Sequence, residues 1–355
     1  SLESVSIPDG VTTIGSSAFE NCEGLESVSI PDGVTTIGSS AFRDCKNLES
    51  VVIPNGLTSI RPNVFNGCDS LASISIPPTV TSISGSALSC KNLTSISVEP
   101  GNPAFDSVEG ILFTSGLLQL VKYPPGKSDT VYTIPDQTHE VDDYAFASCR
   151  SLSVVTGVGS VISIGDSSFA DCTSLSSIDI PSVETIGRAA FIRCYSLASI
   201  TLPDTTTTIE DSAFEDCLSL DHIDIPSRVT FIGVAARFDF PHGIEEIGES
   251  AFANCTLLNG ITIPESVTSI GSEAFSSNSS LSKFTFQKGI ESIGARAFAD
   301  CDRLNNISIP DSISSIEEET FRGCWSLSDI TIPNSVTRIG SSAFGECTSL
   351  VSLTI

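Results

Sequence analysis

Twelve cysteines are the first residues that could do chemistry: Cys22, Cys45, Cys68, Cys90, Cys149, Cys172, Cys194, Cys217, Cys255, Cys301, Cys324 and Cys347. Such a number could build a disulfide framework, hold zinc or supply a redox pair. Their spacing points elsewhere. Each falls at one place in a recurring segment of 23 residues, and no C-x-x-C pair occurs. One complete segment carries Asn278 at that place. Asn shares with Cys a small side chain with a hydrogen-bonding head, but it cannot form a disulfide. The place therefore calls for a small polar anchor to the loop backbone, and the cysteines are expected as buried free thiols. Neighbouring rungs would still lie near the distance that a disulfide spans.

Other chemistry fails on the same test of type and spacing. His139, His222 and His242 are scattered, and His242 with Glu245 lacks the second His of a zinc-binding helix. No G-x-S-x-G elbow and no Gly-rich phosphate loop occurs. Asp142 with Asp143, and Glu317 with Glu319, read as solvated corners, and no nonapeptide Asp ladder of a calcium-binding β-roll appears. The expectation is no enzyme, with no catalytic, cofactor-binding or metal-ligating residue. Acidic residues number 43 against 17 basic ones, a net charge of −26, which repels nucleic acid and anionic membrane surfaces. No apolar run is long enough to span a bilayer. The sequons at Asn92, Asn254, Asn278 and Asn306 are no more than so Ser/Thr-rich a chain supplies, and Asn278 is expected to point inward. The chain has no Met. It reads as a piece of something longer, with apolar end faces where the repeats are cut.

The repeat supplies the elements. Residues 1–23 read SLESVSIPDGVTTIGSSAFENCE, residues 24–46 GLESVSIPDGVTTIGSSAFRDCK and residues 47–69 NLESVVIPNGLTSIRPNVFNGCD. The pattern returns, with one-residue slips, to the end of the chain and predicts roughly fifteen turns. In the first turn Leu2, Val5 and Ile7 contain a period-two apolar pair, the mark of a half-buried strand. Pro8 has no N–H and ends it. Val11 and Ile14 form a second short apolar pair, and Ala18, Phe19 and Cys22 are expected to fill the interior from a tight helical or 3₁₀-like turn. One such turn cannot bury its own apolar face, whereas stacked turns bury a continuous interior.

The repeat breaks twice. The residues 99–133 start in a Pro/Gly turn and then read as extended, with Ile111 to Phe113, Leu117 to Tyr123 and Val131 to Ile134 as strands. This is either a hairpin insert that lets the sheet change direction or a binding loop. It divides the chain into 1–98, the insert, and 134–355, within one continuous solenoid. The second break is a shortened turn near 234–239, where Phe238 and Phe240 take the strand positions of the next turn. A thin or kinked point is expected there, or a deletion without function.

Outward strand positions make two columns. They begin as a flat hydroxyl stripe at Ser4, Ser6, Ser27 and Ser29 and become varied and charged at His222, Asp224, Lys283, Thr285, Asn306, Asp329 and Thr331. These seven are the candidate ligand face, set against the plainer reading of a solvated sheet face. Trp325 and Tyr195 share the corner position after Cys and are candidate aromatic contacts.

The turns L-x-x-I-x-I-P-x-x-V-x-x-I-G-x-x-A-F-x-x-C resemble the BspA-like class of leucine-rich repeats, also called the Treponema pallidum type. The insert resembles an element of that family, N-P-x-Y/F-x-S-x-x-G-I/V-L-F followed by L-x-x-Y-P, at residues 102–113 and 118–124. The resemblance covers nearly the whole chain; the shortened turn departs from it and puts the continuity of the face in doubt. It implies a leucine-rich-repeat solenoid, mostly β, with a parallel sheet on one face and short strands and 3₁₀ or helical turns on the other. It implies a cell-surface or secreted protein that adheres to protein partners of the host matrix, host cells or other microbes, or to glycan. Two further readings remain open: a spacer rod, which the near-identical first turns favour, and an intracellular scaffold, which free thiols would suit.

Overall fold

The computed structural model describes residues 2–224, 231–232, 246–263, 267–286 and 289–354. The chain divides into two compact units, Ser1–Leu152 and Ser153–Ile355, each a mostly β solenoid of short parallel strands. In the first unit Ser4–Ser6, Ser27–Ser29 and Ser50–Val51 form one parallel ladder, with Val5 beside Val28 and Val28 beside Val51. Ser73–Ile76 pairs with Ser95–Val98. The alternation of Ser and Val or Ile places hydroxyls outside and branched apolar side chains inside. A second ladder carries Thr13–Ile14 beside Thr36–Ile37, and Ser59–Ile60 beside Ser82–Ile83.

The corner that holds Ala18, Phe19 and Cys22 is 3₁₀-like rather than α-helical. It is a chain of three-residue hydrogen-bonded turns with left-handed residues at Ser17 (φ 56°) and Asn21 (φ 59°). The amides of Ala18, Glu20 and Cys22 donate back to the carbonyls of Gly15, Ser17 and Phe19, at 3.3, 3.1 and 3.1 Å. Those of Ser17, Phe19 and Asn21 donate instead to Ser39, Ala41 and Arg43 of the next turn, at 3.0, 2.8 and 2.8 Å. Alternate amides thus serve the turn and its neighbour, and no donor of the corner is orphaned. The same two positions recur as left-handed in other described turns, including Ala189 with Arg193 and Arg296 with Asp300, and the second is glycine at Gly67 and Gly323, whereas the corner at Gly85–Leu88 is a 3₁₀ helix without them. Side chains so unsuited to positive φ are held there by the neighbouring turns.

The insert forms antiparallel strands Phe105–Val108, Ile111–Thr114 and Gln119–Lys122, and the last of these lies parallel beside Glu140–Val141. Phe105–Val108 lies outside the segments that the sequence pattern singles out, because Asp106 and Ser107 interrupt its apolar run. Tyr123 then enters the aromatic column: its amide donates to Ala145 at 2.8 Å, and its ring lies 5.3 Å from that of Phe146.

In the second unit a single parallel ladder joins Ser163–Ile164, Thr185–Ile186, Thr208–Ile209, Phe231–Ile232, Glu246–Ile247, Ser269–Ile270 and Ser292–Ile293. The expected shortened turn at 234–239, with Phe238 and Phe240, lies outside the described residues. Around it, His222–Asp224 pairs directly with Gly260–Thr262, while Glu246–Ile247 stands between Phe231–Ile232 and Ser269–Ile270. One ladder therefore has a rung that the other lacks.

Core packing is columnar. Phe169, Phe191, Phe214, Phe252, Phe275, Phe298, Phe321 and Phe344 stack at 5.2–6.0 Å with their rings within 16° of parallel. Beside them runs the thiol column. Cys194 Sγ donates to the Phe169 carbonyl at 3.2 Å, Cys217 to Phe191 at 3.3 Å and Cys301 to Phe275 at 3.2 Å. In the first unit Cys45 and Cys68 reach Phe19 and Phe42, each at 3.1 Å. Asn278 does the same work with its amide, donating to Phe252 at 2.9 Å and Phe275 at 2.8 Å, but its Oδ1 is buried without a partner. Restoring the thiol with Asn278→Cys should remove that unsatisfied acceptor and raise stability by about 1 kcal/mol in urea denaturation. A loss of stability would show that the second amide bond outweighs the orphaned oxygen.

Candidate functional site on the strand face

All twelve thiols are free. Burial pushes Cys45 up to about 11 and Cys301 up to about 12, so both are protonated at neutral pH and act as donors, not as nucleophiles or metal ligands. Among the described residues no group of three His, Cys, Asp or Glu side chains could hold a metal ion, and no helix is long and apolar enough to cross a membrane.

The corners carry charge in alternating sign. In the first unit Lys46 meets Glu23 at 2.5 Å, Lys91 meets Asp69 at 2.7 Å and Arg43 meets Glu20 at 3.5 Å, each one turn apart. In the second, Arg193 grips Asp171 through two bonds of 2.7 and 2.8 Å. Arg296 lies between Glu319 at 2.9 Å and Glu273 at 3.5 Å, and Arg322 between Glu346 at 2.8 Å and Asp300 at 3.5 Å. These cations are engaged within the fold.

On the strand face the structure joins three of the sequence candidates. Lys283 bridges to Asn306, and Asn306 to Asp329, so the three exposed side chains follow one another in a single column. Thr285 and Thr331 are exposed in the neighbouring column. The backbone of His222 and Asp224 lies in the strand beside Gly260–Thr262. Trp325 is 52 % exposed and Tyr195 39 %, on corners of different turns, so they are separate features.

Sequence reading missed a depression of about 790 Å³ lined by Lys283, Thr285, Phe286, Asn306, Ser308, Asp311 and Ser312. Its cause is legible. The inward strand positions are Ile in the two turns that follow, at Ile307 and Ile309 and at Ile330 and Ile332, but are Phe284 and Phe286 here. The two rings meet edge-on at 5.0 Å, and both pack edge-on against Phe298, at 4.6 and 5.8 Å. The added ring volume has to be accommodated between the strands and the aromatic column. The ladder shrinks to single bridges at Lys283 and Asn306, whereas Asp329–Thr331 pairs along its whole length with Ser352–Thr354.

Stacked parallel strands, an apolar column at every inward position and an exposed varied face define a leucine-rich-repeat protein. The chain belongs to the family described as BspA type leucine-rich repeat region, whose sequence profile matches residues 1–108, 127–237 and 234–351. It is similar to the crystal structure of a leucine-rich repeat protein from Eubacterium ventriosum: 25 % identity, 98 % of this chain and 83 % of that one, TM-score 0.57. It is also similar in fold to the pneumococcal vaccine antigen PcpA: 20 % identity, 99 % of this chain and 79 % of that one, TM-score 0.56. No curated relative matches the chain.

Proposed function

We propose that the protein is a non-catalytic protein-binding module of a cell-surface or secreted protein, which adheres to host, matrix or microbial proteins through its strand face. The observation that carries this reading is the bridged column Lys283, Asn306 and Asp329, three different exposed polar side chains held at strand spacing by a fully buried aromatic stack. A rigid face of unlike side chains loses little conformational freedom on binding. The half-exposed indole of Trp325 supplies the kind of rigid aromatic that anchors interfaces. Family membership supports the surface setting.

The test is saturable binding of the full chain to immobilised extracellular-matrix proteins and to intact host cells. Trp325→Ala should weaken any binding found by about tenfold or more, the scale of a hot-spot residue. Absence of saturable binding to every partner counts against the reading. The spacer alternative is favoured by the uniform Ser stripe of the first turns, Ser4, Ser27 and Ser50, which distinguishes no partner. Replacing the segment by an unrelated solenoid of equal length separates the two: retained adhesion identifies a spacer.

A further inference from the structure

The depression on the strand face differs from its surroundings in ways that point to a ligand other than a protein. We infer that it is a binding site for a short acidic oligosaccharide, one whose sugar rings carry carboxylate. This goes beyond the protein-binding reading and does not depend on it.

Volume limits the occupant first. A space of about 790 Å³ lies within the roughly 300–1,000 Å³ of small-molecule sites, and it suits a few linked rings better than a folded surface. Lining chemistry comes next. Thr285, Asn306, Ser308 and Asp311 are all exposed, and they offer hydroxyl, amide and carboxylate groups, a mixture of donors and acceptors that matches the hydroxyls of a sugar. Phe286 adds an apolar ring. It is half-buried where Ile53, Ile76, Ile309 and Ile332 at the same strand position are buried, and its contacts with Phe284 and Phe298 fix its orientation. A fixed ring beside hydrogen-bonding groups can receive the C–H face of a pyranose without losing rotamer freedom.

Charge selects the acidic class. The chain carries 43 acidic against 17 basic residues, so an anionic ligand meets repulsion nearly everywhere. The corner cations Arg193, Arg296 and Arg322 are taken up in ion pairs. Lys283 is exposed, lines the depression and makes no ion pair among the described residues. An ammonium with no ion pair among the described residues, at the edge of a cleft lined by both hydroxyl and apolar groups, is the natural partner of a uronate or sialate carboxylate. Asp311, in the same lining, accepts hydrogen bonds from ring hydroxyls and repels a second carboxylate. It thereby sets the direction in which the ligand lies.

The test is calorimetric titration of the full chain with three probes: tetragalacturonic acid, a hyaluronan hexasaccharide and 3′-sialyllactose. Maltotetraose serves as the neutral control and tetraglutamate as the acidic-peptide control. At least one acidic saccharide should bind, at least tenfold more tightly than either control. Lys283→Gln should weaken that binding tenfold or more. Phe286→Ile, which installs the repeat's own residue and so preserves the fold, should weaken it about fivefold. Unchanged thermal unfolding of both variants confirms that the loss is local. The inference is overturned if no acidic saccharide binds, if tetraglutamate binds as well as the saccharide, or if both variants bind like the parent. No protein partner enters this assay, so its failure leaves the adhesion reading standing, and failed adhesion leaves this one standing.

Discussion

Phe191→Ala should destabilise the protein by about 3–5 kcal/mol, the cost of removing a fully buried phenyl that its surroundings cannot refill. Phe191 is wholly buried and stacks on Phe169 at 5.2 Å and on Phe214 at 5.5 Å, so its loss removes both ring contacts and leaves a void between two turns. The column accepts Leu88 where the ring count is interrupted in the first unit, with the amide of Phe65 bonded to the preceding Ala87 carbonyl. Phe191→Leu should accordingly cost much less, about 1–2 kcal/mol. Urea denaturation followed by far-ultraviolet circular dichroism measures both. A loss below about 1 kcal/mol for the alanine variant would mean that the turns do not depend on one another through this column. Stacked repeats are held by nearest-neighbour interfaces, so the effect should appear as loss of cooperativity as well as a lower midpoint.

Asp142→Asn should stabilise the protein at neutral pH and not in acid. Burial pushes the Asp142 carboxyl up to about 6, against a hydrogen bond from the Asp143 amide and the attraction of Lys122, which both favour the charged form. The folded chain therefore retains a proton between about pH 4 and pH 6 that the unfolded chain releases. Stability falls as pH rises through that window and stays lower above it. Asn removes the ionisation while still accepting the amide, so it should add about 1–2 kcal/mol at pH 7 after allowance for partial exposure, and nothing near pH 3.5. Equal gains at both pH values would show a packing effect and sink the ionisation argument. The buried Lys122 nearby, whose Nζ donates to the Tyr144 carbonyl at 2.6 Å and to Ser89 Oγ at 3.2 Å, stays in place in the variant.

What the sequence disclosed follows from periodicity. Columns such as Val5, Val28 and Val51 are readable because one inward position per turn must pack on its own copy. The substitution of Asn278 disclosed the anchoring role of the Cys column, since both side chains donate to the Phe carbonyl of the preceding turn. The expected helical or 3₁₀-like turn is of the 3₁₀-like kind, but its left-handed positions could not be foreseen because they carry Ser, Ala, Glu and Arg, residues with no local preference for positive φ. Hydrogen bonds to the next turn impose that conformation, and they have no signature within a single turn. Strand-face residues Lys283, Thr285 and Asn306 could be picked out by alternation alone. The depression beside them could have been found from Phe284 and Phe286, two rings where the repeat calls for Ile or Val. Its form could not, because it depends on how both rings settle against Phe298.

The alternating charges of the corners bear on how such an array can lengthen. Residues 1–23 and 24–46 differ at four positions only, and two of the changes set Arg43 against Glu20 and Lys46 against Glu23. A freshly copied turn places every carboxylate directly over its own duplicate at strand spacing, where like charges repel. Each of those two changes turns a repulsive stack into an ion pair, at 3.5 and 2.5 Å. Duplication thus hands the new turn a packed interior at once and an electrostatic fault on its rim, which the changes at residues 43 and 46 relieve while Glu3 with Glu26 and Asp9 with Asp32 keep their like charges. Arrays that grow this way should diverge fastest where their side chains matter least to the core.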